Sequence, residues 1–188
     1  MNKEAIWIPK IKTVLYNAVN FVAKAISSDP TKYAIDGVCI EPKYIVATDS
    51  RRIHRAKIKR DYKPGIYDVI RHKGDIILLA TSNTEKKFPK YQDVMPNHNN
   101  YFEISPCNYP AEIVLGVLGK KNISVNLDYL NDVFESIDCG WNVYYGEPDE
   151  PIRLVSRLVG SEIYEAVIMP IGTELANYKF ETVKQEKG

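Results

Sequence analysis

Cysteine is scarce in this chain of 188 residues, and its spacing points to neither a cross-linked nor a metal-bound framework. Cys39, Cys107 and Cys139 are odd in number and far apart, and no two of them form a CxxC pair. Widely spaced, unpaired cysteines are typical of a protein from a reducing compartment. We therefore expect no disulfide framework, no zinc site and a cytoplasmic location.

Charge of one sign and long hydrophobic runs are also missing. Lysine and arginine number 25, aspartate and glutamate 24, so the formal net charge is +1. No global field therefore draws the chain to nucleic acid or to a membrane surface. No segment approaches the ~20 apolar residues that span a bilayer, so we expect no membrane partner. Hydrophobic residues make up 45% of the chain, enough for an ordinary globular core.

The signatures of catalysis are absent as well. His54, His72 and His98 lack metal-ligand spacing, and no glycine-rich phosphate or dinucleotide motif occurs. We expect no catalytic residue, no metal and no cofactor. An enzyme with an α+β fold is the function hypothesis that the sequence favours least. A deep polar pocket holding a carboxylate with a strongly shifted pKa would favour it.

Apolar periodicity predicts one long helix in the first half of the chain. Between Lys10 and Ser28 the apolar residues recur at intervals of three and four, which is the spacing of a helix face. The opposite face carries lysines and asparagines and no acid. Short runs of alternating or continuous apolar residues predict the strands. These strands are Ala5–Ile8, Tyr33–Glu41, Tyr44–Thr48, Arg51–Lys59, Ile66–Ile70 and Asp75–Thr81.

The second half repeats this plan around a helix predicted over Leu127–Ile137, with Asn126 as its N-cap and an acidic outer face. We expect two halves, residues 1–96 and 97–175, followed by a flexible tail over 176–188. Because strands and helices do not alternate, antiparallel sheets with the two helices packed on one face are predicted, in the α+β class. The second-half strands are Tyr101–Ile104, Glu112–Leu118, Trp141–Tyr145, Ile152–Leu158 and Ile163–Ile171, and Ile123–Val125 leads into the predicted helix.

A dense positive run occupies Arg51–Lys63, with seven cations and one aspartate. One interpretation is an edge that binds nucleic acid. The other is a charged edge strand that discourages pairing between sheets of different molecules. The alternation of the cations with Ile53, Ala56 and Ile58 favours the edge-strand interpretation.

Four segments resemble, in the same order, motifs of the bacterial sliding clamp, the beta subunit of DNA polymerase III. Phe21–Arg55 contains VAKA, DGVCIE and ATDSRRI, where the family has A-T-D-G-x-R-L in the last element. Phe88–Pro96 reads FPKYQDVMP, Ser124–Ser136 reads SVNLDYLNDVFES, and Glu165–Ile171 reads EAVIMPI. Family subunits carry three such domains, so the chain resembles a shortened and divergent member.

The resemblance implies a DNA-clamp-like fold of repeated strand-helix-strands units and a non-enzymatic processivity factor of DNA replication. Such a protein binds duplex DNA non-specifically, docks a DNA polymerase or another partner with a clamp-binding motif, and forms a homo-oligomer. An adaptor or decoy that binds peptides with the same fold, without encircling DNA, is the alternative. The first helix supplies the candidate DNA-binding residues Lys10, Lys12, Asn17, Asn20 and Lys24. The resemblance places a peptide groove at Thr48, Arg51, Ile53, Pro89, Val94, Val167, Met169 and Pro170.

Overall fold

The structure is a computed structural model, and it describes residues 4–11, 13–27, 36–60, 62–82, 87–97, 101–107, 109–156 and 163–172. Within these ranges ten strands form a single antiparallel sheet and three α-helices pack against it. A short 3-10 helix spans Tyr91–Val94. In chain order the elements are β1 (Ala5–Ile8), α1 (Val14–Ala23), β2 (Val38–Glu41), β3 (Tyr44–Thr48), β4 (Arg52–Lys57), β5 (Gly65–His72), β6 (Asp75–Ala80), β7 (Phe102–Cys107), α2 (Ala111–Gly119), α3 (Leu127–Phe134), β8 (Trp141–Tyr145), β9 (Ile152–Ser156) and β10 (Tyr164–Ile168).

The sheet joins the first and second halves of the chain at its middle. Its strand order is β1-β6-β5-β2-β3-β4-β10-β9-β8-β7, so each half contributes a contiguous block. The blocks meet where β4 pairs with β10, with Ala56 opposite Tyr164 and Arg52 opposite Ile168. The predicted antiparallel α+β fold is confirmed. It differs from the prediction in having one continuous sheet and, among the described residues, three α-helices instead of two.

Strand β4 lies inside the sheet, hydrogen-bonded to β3 on one side and to β10 on the other. The edge-strand interpretation of the cationic run is therefore wrong. It was favoured by the alternation of the cations with Ile53, Ala56 and Ile58, but that alternation also fits an interior strand whose arginines are paired with carboxylates. Arg52 pairs with Asp49, and Arg55 pairs with Glu165. Paired and hydrogen-bonded charges are tolerated inside a sheet where lone ones are not.

Capping side chains set the starts of α1 and α3. The Thr13 hydroxyl accepts the backbone N–H of Tyr16 at 3.1 Å, so α1 begins at Val14, later than the predicted Lys10. The predicted cap of the later helix is confirmed, because the Asn126 side chain accepts the N–H of Asp128 at 2.8 Å. This helix ends at Phe134. The sequence therefore overestimated the lengths of both helices.

The segment predicted as the strand Glu112–Leu118 is instead helix α2. Its buried residues, Ala111, Val114 and Leu118, stand three and four apart, whereas Ile113 is exposed. A short apolar run rich in β-branched residues fits both templates, and here the helical stripe decides. Residues 123–125, which lead into α3, are irregular, with Ile123 and Val125 buried. In the part of the chain that the structure describes, no helix is long and apolar enough to cross a bilayer.

One face of the sheet, the helix face, holds the main core. Phe21 of α1 stacks on His54 with ring centroids 4.6 Å apart, and on Trp141 at 5.8 Å. Tyr164 meets the same ring edge-on at 5.4 Å. Since Trp141 and Tyr164 come from the second half, this aromatic cluster makes one core of both halves.

The opposite face, the linker face, is covered by the segment 87–97. Successive residues of a strand point to opposite faces, and β3 shows this clearly. Ile45 and Ala47 join the main core, whereas Val46 joins a second cluster with Ile53, Tyr91 and Val167. The linker side chains Phe88 and Met95 pack against that cluster. The candidate groove lies on this face, directly over the junction of the two halves.

Candidate partner-binding groove

The turn between β3 and β4 is held by its own side chains. The Thr48 hydroxyl donates to the carbonyl of Arg52 at 2.7 Å and accepts the N–H of Ser50 at 3.1 Å. Asp49 Oδ1 accepts the N–H groups of Arg51 and Arg52 at 3.0 and 2.9 Å. Ser50 has a φ of 73°, in the left-handed region. The closed turn leaves the Arg51 side chain exposed.

The linker forms the second wall of the groove, and Tyr91 fixes it to the sheet. The buried Tyr91 donates its hydroxyl proton to Glu41 Oε2 at 2.7 Å, and Gln92 Nε2 donates to Glu41 Oε1 at 3.3 Å. Burial raises the pKa of Tyr91, and the hydrogen bond to the Glu41 carboxylate raises it further. The phenol is therefore a proton donor at neutral pH. This anchor positions Pro89 and Val94 at the groove.

The third wall is strand β10 with the residues that follow it. Val167 pairs directly with Ile53 across the β4–β10 junction. Beyond the strand, the N–H of Met169 donates to the carbonyl of Arg51 at 2.8 Å, and the N–H of Ile171 donates to the carbonyl of Ser124 at 2.7 Å. The backbone bonds hold Met169 beside the turn, where its side chain borders the groove.

These three walls enclose a cavity of about 300 Å³. Seven of the eight predicted groove residues line it, and the eighth, Pro170, does not. The floor is buried, with Ile53 and Val167 only 5% and 2% exposed. The rim is open, with Val94 and Met169 46% and 37% exposed. The seven residues are Thr48, Arg51, Ile53, Pro89, Val94, Val167 and Met169.

Pro170 lines an adjoining cavity of about 630 Å³, and the two cavities share Arg51 and Met169. We call the two together the groove. The sequence analysis missed several of its residues, although most lie within the motifs it quoted. Lys90 and Tyr91 belong to the linker motif, and the motif around the third helix had been used only to place that helix. The missed lining residues are Ser50, Arg52, Lys90, Tyr91, Asn126, Tyr129, Ile171 and Gly172.

A buried ion cluster lies beneath the linker face. Glu165 of β10 sits between Arg55 of β4 and Arg153 of β9, and it pairs with both. The Arg55 Nε donates to Glu165 Oε2 at 2.9 Å, and its guanidinium lies 4.6 Å from the ring centroid of Tyr44. Arg153 also donates to the carbonyl of Pro96 at 3.5 Å. This linker-face cluster ties the sheet junction to the end of the linker.

Comparison with known proteins identifies the fold. No protein-family model and no curated protein matches the sequence. Among solved structures, the Pseudomonas aeruginosa sliding clamp (DNA polymerase III subunit beta) bound to griselimycin superposes with a TM-score of 0.61 at 12% identity. The Thermotoga maritima beta subunit gives 0.62 at 13%, and the Helicobacter pylori beta clamp in complex with 3,4-difluorobenzamide gives 0.60 at 12%. This chain has the fold of the bacterial sliding clamp.

The match extends over most of this chain but only part of each clamp. It covers 90% of this chain and 65% of the Pseudomonas clamp, 89% and 65% for Thermotoga, and 92% and 67% for Helicobacter. The chain therefore spans about two thirds of the length of these clamps. The family resemblance predicted from the four motifs is confirmed at the level of fold.

On the helix face of this clamp fold, the predicted DNA-binding residues are not a set of free cations. The Lys24 ammonium lies 3.0 Å from Asp132 Oδ1, and Arg52 Nη1 lies 2.6 Å from Asp132 Oδ2. The Arg52 guanidinium also lies 4.1 Å from the ring centroid of Tyr129. Although burial alone raises the pKa of Asp132, hydrogen bonds from Arg52 and Lys24 hold it below its usual value. We call Lys24, Arg52 and Asp132 the helix-face cluster.

The other predicted DNA-binding residues differ in exposure and in hydrogen-bond partners. Lys10 is exposed, and its backbone N–H donates to Asp75 at 2.7 Å. The Asn20 side chain accepts from Arg71 at 2.7 Å, while Asn17 is half-buried. Lys12 lies outside the described residues. Among the described residues, α1 and the positions flanking it therefore offer isolated cations and amides to a phosphate backbone, not a continuous positive stripe.

Proposed function

We propose that this chain is a sliding-clamp-like accessory protein of DNA replication. Its groove docks a short apolar peptide of a DNA polymerase or another protein with a clamp-binding motif. The observation that supports this most is that distant parts of the chain meet at one site. Predicted groove residues from three separate segments, the turn after β3, the linker and the end of β10, meet around one cavity of about 300 Å³. The proposed role is binding, without bond chemistry.

The physical character of the groove suits an apolar side chain. A floor of Thr48, Ile53 and Val167 is already buried, so an incoming side chain loses its water without displacing ordered polar groups. The flexible Met169 adapts the wall to the shape of its occupant. Complete burial of one leucine-sized side chain stabilises a complex by roughly 1.5–3 kcal/mol.

Titration of a fluorescent clamp-binding peptide from a bacterial replicative polymerase tests the proposal. Met169→Asp places a charge on the ridge shared by both cavities, and we expect it to weaken binding by at least about tenfold. Ile113→Asp is the matched control, since Ile113 is an exposed apolar residue of α2 outside the groove. Equal affinities of the wild type and the Met169 variant would rule out the groove as the binding site.

Non-specific binding of duplex DNA is the second part of the proposed function. The phosphates would be contacted by residues of α1 and of the positions flanking it, namely Lys10, Lys12, Asn17, Asn20 and Lys24. Residues 1–96 and 97–175 would act as two clamp-like halves of a homo-oligomeric ring. Phosphate contacts position a protein without reading sequence, and their strength falls steeply with salt. Retention on nicked circular DNA, with release after linearisation, tests encirclement. A protein that stays monomeric and has no DNA affinity at low salt would exclude the ring.

The alternative is an adaptor or decoy that binds clamp-binding peptides and does not encircle DNA. The helix-face cluster favours it, because Asp132 neutralises Lys24 and α3 exposes Asp128 and Glu135. Carboxylates near a phosphate backbone repel it. The two functions separate experimentally, since an adaptor would keep its peptide affinity while failing the nicked-circle retention assay. In either case a cytoplasmic location is proposed.

A further inference from the structure

Helix α3 contributes both to the groove and to the helix-face cluster. Asn126 and Tyr129 line the larger of the two cavities of the groove. Asp132 is the carboxylate of the helix-face cluster. Tyr129 and Asp132 stand three residues apart, so their side chains lie on the same side of the helix. One helix therefore carries part of a cavity wall and, almost one turn later, the centre of an ion cluster.

The Arg52 guanidinium lies against both of these α3 side chains. Its Nη1 donates to Asp132 Oδ2 at 2.6 Å, and its central carbon lies 4.1 Å from the ring centroid of Tyr129. Its Nε donates to Asp49 Oδ2 at 2.9 Å, and its Nη2 donates to the carbonyl of Lys24. Arg52 is only 8% exposed. A buried guanidinium depends on its carboxylate partners, so these contacts fix the position of the Arg52 side chain.

The main chain of Arg52 belongs to the turn that forms the first wall of the groove. Its N–H donates to Asp49 Oδ1 at 2.9 Å, and its carbonyl accepts the Thr48 hydroxyl at 2.7 Å. The carbonyl of the preceding residue, Arg51, accepts the N–H of Met169 at 2.8 Å, which ties the third wall to the first. Thr48, Arg51 and Met169 all line the smaller cavity. A displacement of Arg52 would therefore be transmitted to both walls.

We propose that Asp132 is a positioning residue of the groove and acts through Arg52 from the opposite face of the sheet. The inference rests on the proposed peptide-docking function, and it concerns a residue that lines neither cavity. Of the two carboxylates that pair with Arg52 in the described part of the chain, loss of Asp132 leaves one. The guanidinium then loses its fixed place over Tyr129, and the turn is less well ordered. A peptide that must order its own site binds more weakly.

Titration of the fluorescent clamp-binding peptide against the full-length Asp132→Asn variant tests this role. We expect binding to weaken roughly fivefold, which is within the range of couplings carried by residues that do not touch the ligand. Glu135→Gln is the matched control, because it removes the same charge from an exposed position of α3 outside both cavities and should bind as the wild type does. Asp132→Glu keeps the carboxylate and should recover most of the affinity.

A second measurement needs no peptide. The backbone amide resonances of Arg51 and Met169 should shift in the NMR spectrum of Asp132→Asn and not in that of Glu135→Gln, because Arg52 positions the walls that contain these amides. A variant that is merely less stable would keep the wild-type shifts in its folded fraction.

The outcomes separate the positioning role from the docking function. If Asp132→Asn binds the peptide as the wild type does while Met169→Asp weakens binding, the positioning role is refuted and the docking function stands, whether or not the amides shift. If the wild type fails to bind the peptide but the amides of Arg51 and Met169 shift in Asp132→Asn, the docking function is refuted and the link from Asp132 to the turn stands.

Discussion

Two clusters, each with one carboxylate between two cations, lie on opposite faces of the sheet, and they differ mainly in burial. On the linker face, Glu165 stands between Arg55 and Arg153, and on the helix face, Asp132 stands between Arg52 and Lys24. The Glu165 side chain is 3% exposed, whereas the Asp132 side chain is 25% exposed. Water can therefore reach one central carboxylate and not the other.

This difference in burial gives the two clusters different structural roles. On the linker face, the carboxylate and the two arginines form ion pairs with one another. These pairs hold β4 against β10, and Arg153 also holds the end of the linker, so they stabilise the walls of the groove. The partly exposed charges of the helix face link α1 to α3 and also cancel a cation that could attract DNA. The geometry thus supports a rigid partner groove more strongly than a cationic DNA-binding face.

The largest expected effect is on the linker face. Glu165→Gln would leave two half-buried arginines without the buried carboxylate they share, and breaking a buried ionic group in this way costs up to roughly 3–5 kcal/mol. Chemical denaturation of the purified variant measures the loss. Glu103→Gln, at an exposed acid of β7, is the control and should change little. A cost below that of the Asp132 substitution discussed below would reverse the proposed ranking of the clusters.

The helix face should respond to acid through His54, which is fully buried against Phe21. Its Nδ1 lies 2.8 Å from the Phe21 carbonyl, so the neutral ring carries its proton there. Burial lowers the pKa of His54 and Arg52 adds to the decrease, while the bond to the Phe21 carbonyl, Asp132 and Asp49 oppose it, and the resulting pKa is about 4.

Because the folded-state pKa lies below the unfolded value, stability is greatest above pH 6.5. It then falls between pH 6.5 and about 4, by roughly 3 kcal/mol in total. Denaturation of His54→Gln at several pH values should give a flatter profile over that interval. The exposed His72 offers a control, since His72→Gln should keep the wild-type slope. An unchanged profile in the His54 variant would show that another group carries the acid sensitivity.

A smaller effect is expected for Asp132→Asn on the helix face. The variant keeps its shape but loses the charge that pairs with Lys24 and Arg52, and partial exposure limits the cost to about 1–2 kcal/mol. Because pairing lowers the pKa of Asp132, its contribution is present above the ordinary carboxyl pKa and disappears as the pH falls through the folded-state value.

The same substitution frees Lys24, so DNA affinity at low salt should rise if α1 faces the duplex. Filter binding of a short duplex measures this, with Glu135→Gln as the control at an exposed acid of α3. If Asp132→Asn leaves DNA binding unchanged while the Glu135 variant strengthens it, α3 and not the cluster sets the electrostatics of this face.

The residues that line the cavity were far easier to predict from the sequence than the members of the two ion clusters. Groove residues sit in short motifs, and alternation along β4 and β10 sends Ile53 and Val167 to the same face. The ion partners are distant in the chain, since Arg52 and Asp132 are 80 residues apart and Arg55 and Glu165 are 110 apart. No local pattern reveals such pairs, so the cationic run was interpreted as an edge.

Similar reasoning explains the errors in secondary structure. The apolar run of α2 has strand-like composition, and only contact with the core shows that Ala111, Val114 and Leu118 form one buried stripe. Helix ends depend on single capping side chains, of which Asn126 was recognised and Thr13 was not. Local rules therefore predicted the strands around the groove, and tertiary contacts decided the remaining elements.

The smallest expected effect on stability is at Ser50, in the turn that contributes one arginine to each face of the sheet. This turn sends Arg51 to the groove and Arg52 to the helix-face cluster, and it requires a left-handed backbone at Ser50. That conformation costs a residue with a Cβ about 1–2 kcal/mol. The greater freedom of glycine in the unfolded chain offsets roughly 0.4–1 kcal/mol of the gain from Ser50→Gly. Thermal melts should therefore show a stabilisation of about 0–1.6 kcal/mol, with peptide affinity unchanged. Lys43→Gly, at another residue of positive φ, is the matched control, and it should stabilise by a similar amount. If only the Ser50 variant loses stability or peptide affinity, the serine side chain takes part in the groove in a way that its backbone conformation does not explain.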